Sequence, residues 1–223
     1  MKGRRGSGGL FIFSGYAMPF REPEILAIVV SASFAAGLNV YATLLTLGLL
    51  GRFHALPLPP ALHLIESWPV IILAGALFAL EFFADKIPAF DLIWNALHTF
   101  IRIPLAAFMA WGAAQQLSPG AQLAAALLGA LIALASHGGK LAVRAAVTPS
   151  PEPVSNMALS LGEDIVAVGL TWVATAHPLA AAIFVAVCLV AVVFAIRLVV
   201  RAFRRLFSGA EEQIHHPQPD RTA

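Results

Sequence analysis

The feature that most constrains this chain is a series of apolar runs, each near the roughly 20 residues a helix needs to cross a bilayer. They cover residues 25–50, 68–84, 103–114, 122–147, 159–176 and 178–200, and the last meets no charge before Arg197. Composition agrees, with 59% hydrophobic and 12% charged residues, where a soluble domain carries about a quarter charged. This balance excludes a disordered chain, a nucleic-acid-binding module and an ordinary water-soluble enzyme. The runs are too long for the alternating strands of an outer-membrane barrel. Only helices and closed barrels satisfy the backbone in lipid. The expected fold is therefore all-α, an integral membrane helical bundle of about six transmembrane helices. The run 103–114 is short, and residues 91–102 supply an amphipathic or re-entrant lead-in to it.

Three segments follow from this pattern. Residues 1–23 read as a flexible or interfacial extension: Lys2, Arg4 and Arg5 precede a short apolar stretch, without a small-x-small cleavage site. Residues 24–207 form the helical transmembrane domain. Residues 208–223 read as a disordered polar tail, with Glu211, Glu212, His215, His216 and Asp220. The basic residues cluster at Lys2–Arg21, Lys86, Arg102, Lys140, Arg144 and Arg197–Arg205. With six spans, all of these fall on one face, which the positive-inside rule makes cytoplasmic, and both termini lie there. Arg52 is the exception. A bacterial cytoplasmic membrane is the expected location. The single cysteine, Cys188, cannot form an internal disulfide, and no Cys/His spacing suggests zinc.

The few charges inside the runs carry the chemistry. Glu81 and Asp85 are four apart at the end of the second run and share a helix face. A carboxylate at that depth costs a few kcal/mol unless paired, protonated, metal-bound or wet. An ion pair with Lys86, Arg102 or Lys140 would satisfy it without further consequence. Asp91, Asn95, His98 and Arg102 are spaced 4, 3 and 4, a polar stripe on an apolar helix. The stripe either faces water at the interface or lines a cavity inside the bundle. His137, Lys140 and Arg144 share a face beside Gly138 and Gly139. Beyond Pro149, Pro151, Glu152 and Pro153, a helix beginning near Ser155 or Asn156 carries Ser160, Glu163 and Asp164 about two turns in. That is too deep for two acids to be explained by a cap or the helix dipole. Asn39, Thr43 and Thr46 line one face of the first run, as interhelical hydrogen-bonding groups or as neutral oxygen ligands opposite the acids.

Six acids (Glu81, Asp85, Asp91, Glu152, Glu163, Asp164) face four bases (Lys86, Arg102, Lys140, Arg144), leaving the region two charges negative. Such a residue of negative charge suits a cation or proton pathway. The expected function is a small transporter or channel for a cation, coupled or not to protons. Glu81, Asp85, Asp91, Glu163 and Asp164 would form the pathway, with His98 as a relay. Asn39, Thr43, Asn95 and Asn156 would be neutral ligands, and Lys86, Arg102, Lys140 and Arg144 counter-ions. Two alternatives stand beside it: a non-catalytic scaffold locked by its polar network, and a lipid-headgroup-modifying membrane enzyme using His98. No nucleophile motif accompanies the latter. The partners expected are the lipid bilayer and a small cation or proton, not nucleic acid. No cofactor is called for, and a metal is left open. Gly75 and the alanine-rich run 122–147 are compatible with a homo-oligomer.

The motifs Gly37-Leu-Asn-Val-Tyr-Ala-Thr43, Glu81-Phe-Phe-Ala-Asp-Lys-Ile-Pro88, Trp94-Asn-x-x-His-Thr-Phe-Ile-Arg-Ile-Pro104 and Ser150-Pro-Glu-Pro-x-Ser-Asn156, with Glu163-Asp164, cover roughly residues 26–175. The chain resembles, in these motifs, the bacterial membrane proteins grouped as domain-of-unknown-function family 4126. The resemblance implies a small polytopic membrane protein and transfers no catalytic residue. Glu81-Phe-Phe-Ala-Asp85-Lys86 is also faintly similar to the Glu-x-Gly-Asp-Lys of cation/proton exchangers, with one extra residue and no glycine.

Overall fold

The computed structural model describes residues 20–84, 88–147 and 153–215. All the regular structure among them is helical: α1 (Glu22–Leu38), α2 (Val40–Arg52), a 3-10 helix (Pro60–Glu66), α3 (Trp68–Ala84), α4 (Pro88–Ala113), α5 (Pro119–Val147), α6 (Pro153–Ala176) and α7 (Pro178–His215). Large apolar side chains such as Ile72, Phe83, Phe100, Leu131, Ile165 and Ile183 are exposed on the outside. An apolar exterior of this extent is what a lipid-facing surface requires. The protein is a helical membrane bundle, as the apolar runs require.

The helix at the centre is α1, packed against α4, α5, α6 and α7. Its small residues make this contact close: Ser31, Ala32, Ser33, Ala35, Ala36 and Gly37 are all buried. Without a hydrophobic driving force between helices in lipid, small residues let backbones approach and dispersion hold them. A Cβ on Gly37 would run into Ser136 Oγ and come within 2.5 Å of the Ala133 carbonyl oxygen. Only glycine admits α5 at this distance. At the opposite end of α1, Ile25 and Val29 pack with Ala110, Ala114 and Ala125.

The first apolar run is not one span. Asn39 leaves the helix in an extended conformation (φ −148, ψ 103), and its side-chain oxygen accepts the Ala42 N–H to cap α2. Asparagine is among the best N-cap residues, so the chain restarts there in a new direction. The new direction is backwards. Leu47, Leu56 and Leu58 line a small apolar cavity of about 40 Å³ together with Ile25, Val29 and Ala32. A continuous helix would instead carry Leu47 more than 20 Å beyond Ala32, at 1.5 Å per residue. The helices α1 and α2 therefore form a hairpin whose tip is Asn39.

The hairpin changes the topology expected from six spans. Gln116 in the α4–α5 connection donates to the Phe20 carbonyl at 3.2 Å, and Gln115 Oε1 accepts the Ala61 N–H at 3.0 Å. The start of α1, the 3-10 helix and the α4–α5 connection thus share one end of the bundle. The helix α7, which packs Val185 near Phe34 and then Val192 on Gly139, leaves by the other end. Arg21 lies with Arg52 at the end of the bundle away from Arg197–Arg205, which corrects the placement of Arg21 with the basic cluster. Among the described residues four helices are long and apolar enough to span, or five if the 3-10 helix and α3 count as one span bent by 64°. The count of about six falls because residues 25–50 turn back.

Two further differences concern α4 and α7. The lead-in 91–102 is neither a separate interfacial helix nor a loop: α4 runs unbroken from Pro88 through Pro104 to Ala113. The helix α7 extends to His215, so the stretch beginning at Ser208 starts as helix.

Candidate functional site

Four helices, α3 to α6, bring their polar residues to one place, at the tip of the α1–α2 hairpin. Glu81 comes from the last turns of α3, Asn95 and Arg102 from α4, His137, Lys140 and Arg144 from α5, and Glu163 and Asp164 from α6. Glu81 and Arg102 have no exposed surface, and Asn39, Asn95 and His137 are at most 1% exposed.

The centre of the cluster is Arg102. Its Nη2 donates to Glu81 Oε1, while its Nη1 donates to Asn95 Oδ1 at 3.0 Å and to His137 Nδ1 at 2.9 Å. The planar fork of arginine allows this division, which a lysine's point charge cannot reproduce. A guanidinium only donates, so His137 Nδ1 is an acceptor and its proton sits on Nε2. Nε2 then donates to Thr99 Oγ1 at 2.8 Å, and Thr99 donates on to the Asn95 carbonyl at 3.0 Å.

Lys140 connects the two acidic helices. Its ammonium lies 3.7 Å from Glu81 Oε1 and 3.1 Å from Glu163 Oε2, and it donates to the Leu38 carbonyl at 3.3 Å. Leu38 is the last residue of α1, whose terminal carbonyls need partners. Arg144 holds Glu163 from the other side, Nη2 to Oε2 at 2.7 Å. Asp164 accepts from Asn39 Nδ2 at 2.8 Å, so the hairpin tip is fastened to α6.

The stripe on α4 faces the inside of the bundle and not water: Asn95, His98 and Arg102 are all buried. Ten of the expected residues converge: Asn39, Thr43, Glu81, Asn95, His98, Arg102, Lys140, Arg144, Glu163 and Asp164. Asp85 and Lys86 lie outside the described residues, as does Glu152; Asp91 and Asn156 lie on described helices, but their side chains are outside the description. Thr43 is back-bonded to the Asn39 carbonyl at 2.9 Å. Asn39 and Asn95 spend their side chains on a cap, Asp164 and Arg102. The neutral groups are therefore positioning residues more than open ligands. His98 stacks on Trp94, with ring centroids 4.1 Å apart, and its Nδ1 bonds the Trp94 carbonyl at 2.7 Å. The imidazole inside the ion network is His137, together with Thr99. Their sequence signal was the face His137 shares with Lys140 and Arg144, and, for Thr99, its place one turn after Asn95.

Among the described side chains the cluster holds three carboxylates (Glu81, Glu163, Asp164) and three cations (Arg102, Lys140, Arg144). The balance explains how so many charges stay in the bundle, because a buried charge left unmatched is far costlier than a pair. Among the described residues no three His, Cys, Asp or Glu side chains converge to hold a metal.

Beside the cluster, a cleft of about 800 Å³ opens between α5, α6 and α7, with Phe34 and Leu38 of α1 at its floor. Lys140 and Glu163 stand in its wall. Neither a curated protein nor a solved structure matches the chain at a significant level. The family model of the domain of unknown function DUF4126 matches residues 26–198, from α1 into α7 and across the entire cluster, and the chain belongs to that family.

Proposed function

We propose that the protein is a small cation transporter of a bacterial cytoplasmic membrane, in which the transported cation or a proton exchanges against Lys140 on the carboxylates of Glu81 and Glu163. The observation that supports this most is the position of Lys140 between the two acids, 3.7 and 3.1 Å away, at the wall of the cleft. A tethered ammonium with two acceptors can release one carboxylate without becoming unpaired itself. Breaking a helix at such a place is also how transporters expose polar groups at depth, and the hairpin tip at Asn39 is fastened to Asp164. The pairing of Arg102 with Glu81, both without exposed surface, favours a carrier over an open channel. The end bearing Arg197–Arg205 faces the cytoplasm by the positive-inside rule, and the start of α1 faces the other side.

The test is reconstitution into liposomes with proton- and cation-sensitive dyes. Wild type is expected to move a cation or protons above the protein-free rate, and Glu163→Gln to lower this at least tenfold. No flux of protons, sodium, potassium, magnesium or an organic ammonium or phosphonium cation with wild type would overturn the reading. The matched charges of the cluster also fit a non-catalytic scaffold, in which Glu163→Gln changes stability alone.

A further inference from the structure

We infer that the cation is lipophilic: an ammonium or phosphonium centre carrying apolar groups, which lie in the α5–α6–α7 cleft while the charge meets Glu163. This rests on the transporter reading and narrows its substrate. The cleft walls are apolar, with Val143, Leu159, Val166, Phe184 and Val192 among them. Its α7 side, Phe184 to Ala195, lies within the apolar span of that helix, so the cleft opens at the level of the bilayer interior. A hydrated inorganic ion has no reason to enter there, whereas a molecule with an apolar body does. A volume of about 800 Å³ lies in the range of small-molecule sites, which combine apolar walls with a few placed polar groups.

Of the two charged side chains in the cleft wall, Glu163 and Lys140, the acid is the more exposed. The Glu163 side chain is 12% exposed, against 1% for Lys140 and 6% for Arg144. An incoming cation therefore meets the carboxylate before either base. As it binds, Lys140 keeps Glu81 and the Leu38 carbonyl as partners. An anion would find the two bases already covered by Glu163.

Two residues make the idea testable. Cys188, the chain's single cysteine, lines the cleft and reports its occupancy. Gly162 lines it too, and a Cβ there meets nothing within 4 Å, so a side chain can be introduced at the cleft from this position. The experiment follows alkylation of Cys188 by a membrane-permeant maleimide in full-length protein in nanodiscs, with tetraphenylphosphonium as probe and triphenylphosphine oxide as its neutral counterpart. Tetraphenylphosphonium is expected to slow alkylation saturably and the neutral compound not to. Glu163→Gln is expected to raise the half-protecting concentration at least tenfold, with Glu163→Asp in between. Gly162→Phe should abolish protection, while Leu161→Phe, on the lipid-facing side of the same turn, keeps it and controls for folding. Equal protection by the neutral compound, no protection, or protection indifferent to Glu163→Gln would overturn the inference. Inorganic-cation flux without tetraphenylphosphonium protection overturns the lipophilic substrate and leaves the transporter standing. Charge-selective protection without flux of any cation keeps the site and overturns transport.

Discussion

Asn39 and Asp164, 125 residues apart in the chain, are joined by a buried hydrogen bond of 2.8 Å from Nδ2 to Oδ1. The same Asn39 side chain caps α2 through its oxygen. One amide therefore ends one helix, starts the next and holds α6. Asn39→Ala should destabilise the bundle by about 2–4 kcal/mol, a lost cap plus a lost bond to a buried carboxylate. Asn39→Asp keeps the cap and sets two carboxylates together. Adding Asp164→Asn restores an amide opposite an acid, and is expected to recover most of the loss. Chemical unfolding of the purified protein, followed by tryptophan fluorescence, measures all four forms. A double variant no more stable than Asn39→Asp would show that the pair does not interact as described.

Arg102 divides its guanidinium among Glu81, Asn95 and His137. Arg102→Lys retains the charge and loses the fork, at an expected cost of about 1–3 kcal/mol. Arg102→Met leaves Glu81 without this partner and should cost about 3–5 kcal/mol, the range for breaking a buried pair. Equal stability of wild type and Arg102→Lys in the same unfolding assay would contradict the role given to the fork.

The members of this cluster were legible in the sequence because a charge in lipid is too costly to stand without a reason. Glu81, Lys140, Glu163 and Asp164 each interrupt an apolar run, and Arg102 closes the polar stripe that leads into one. The fold around them was less legible. Residues 25–50 are apolar throughout, and hydrophobicity does not distinguish one long span from two halves folded back. The signal lay in Gly37 and Asn39, a close-packing residue and a helix cap within three positions, which read equally well as interhelical hydrogen bonding. His137 and Thr99 were harder still, because the role of His137 exists only through Arg102, on a helix that the sequence does not visibly pair with α5, and the role of Thr99 only through His137.

Gly37 and Gly162 offer a matched comparison on the two sides of the cluster. A Cβ on Gly37 runs into α5, where the Ala133 carbonyl is backbone and cannot swing aside; one on Gly162 enters open space. Gly37→Ala should destabilise by about 1–3 kcal/mol through overpacking, and Ser136→Ala should not rescue it, because the carbonyl remains. Gly162→Ala should be neutral or slightly stabilising, since alanine is the better helix former. Thermal unfolding in one detergent gives both numbers. Equal tolerance of the two substitutions would mean that α1 and α5 are not in the close contact described.

The hairpin makes a prediction about sidedness that a single first span contradicts. Folded back at Asn39, the chain places Arg21 and His54 at the same end of the bundle, with Ser118 of the α4–α5 connection. A span running through residues 25–50 would separate Arg21 from His54. In a Cys188→Ala background, single cysteines at these three positions and at Arg201 can be labelled with a membrane-impermeant maleimide in intact cells and in inverted vesicles. All four side chains are exposed. Positions 21, 54 and 118 should label together, and position 201 only from the opposite side, which the arginines of α7 mark as cytoplasmic. Labelling of 21 with 201, and of 54 with 118, would restore the continuous span and remove the hairpin tip from the site. Agreement of 21 with 54 would place Asn39 at a turn inside the membrane, where an amide without partners is costly and where Asp164 provides one.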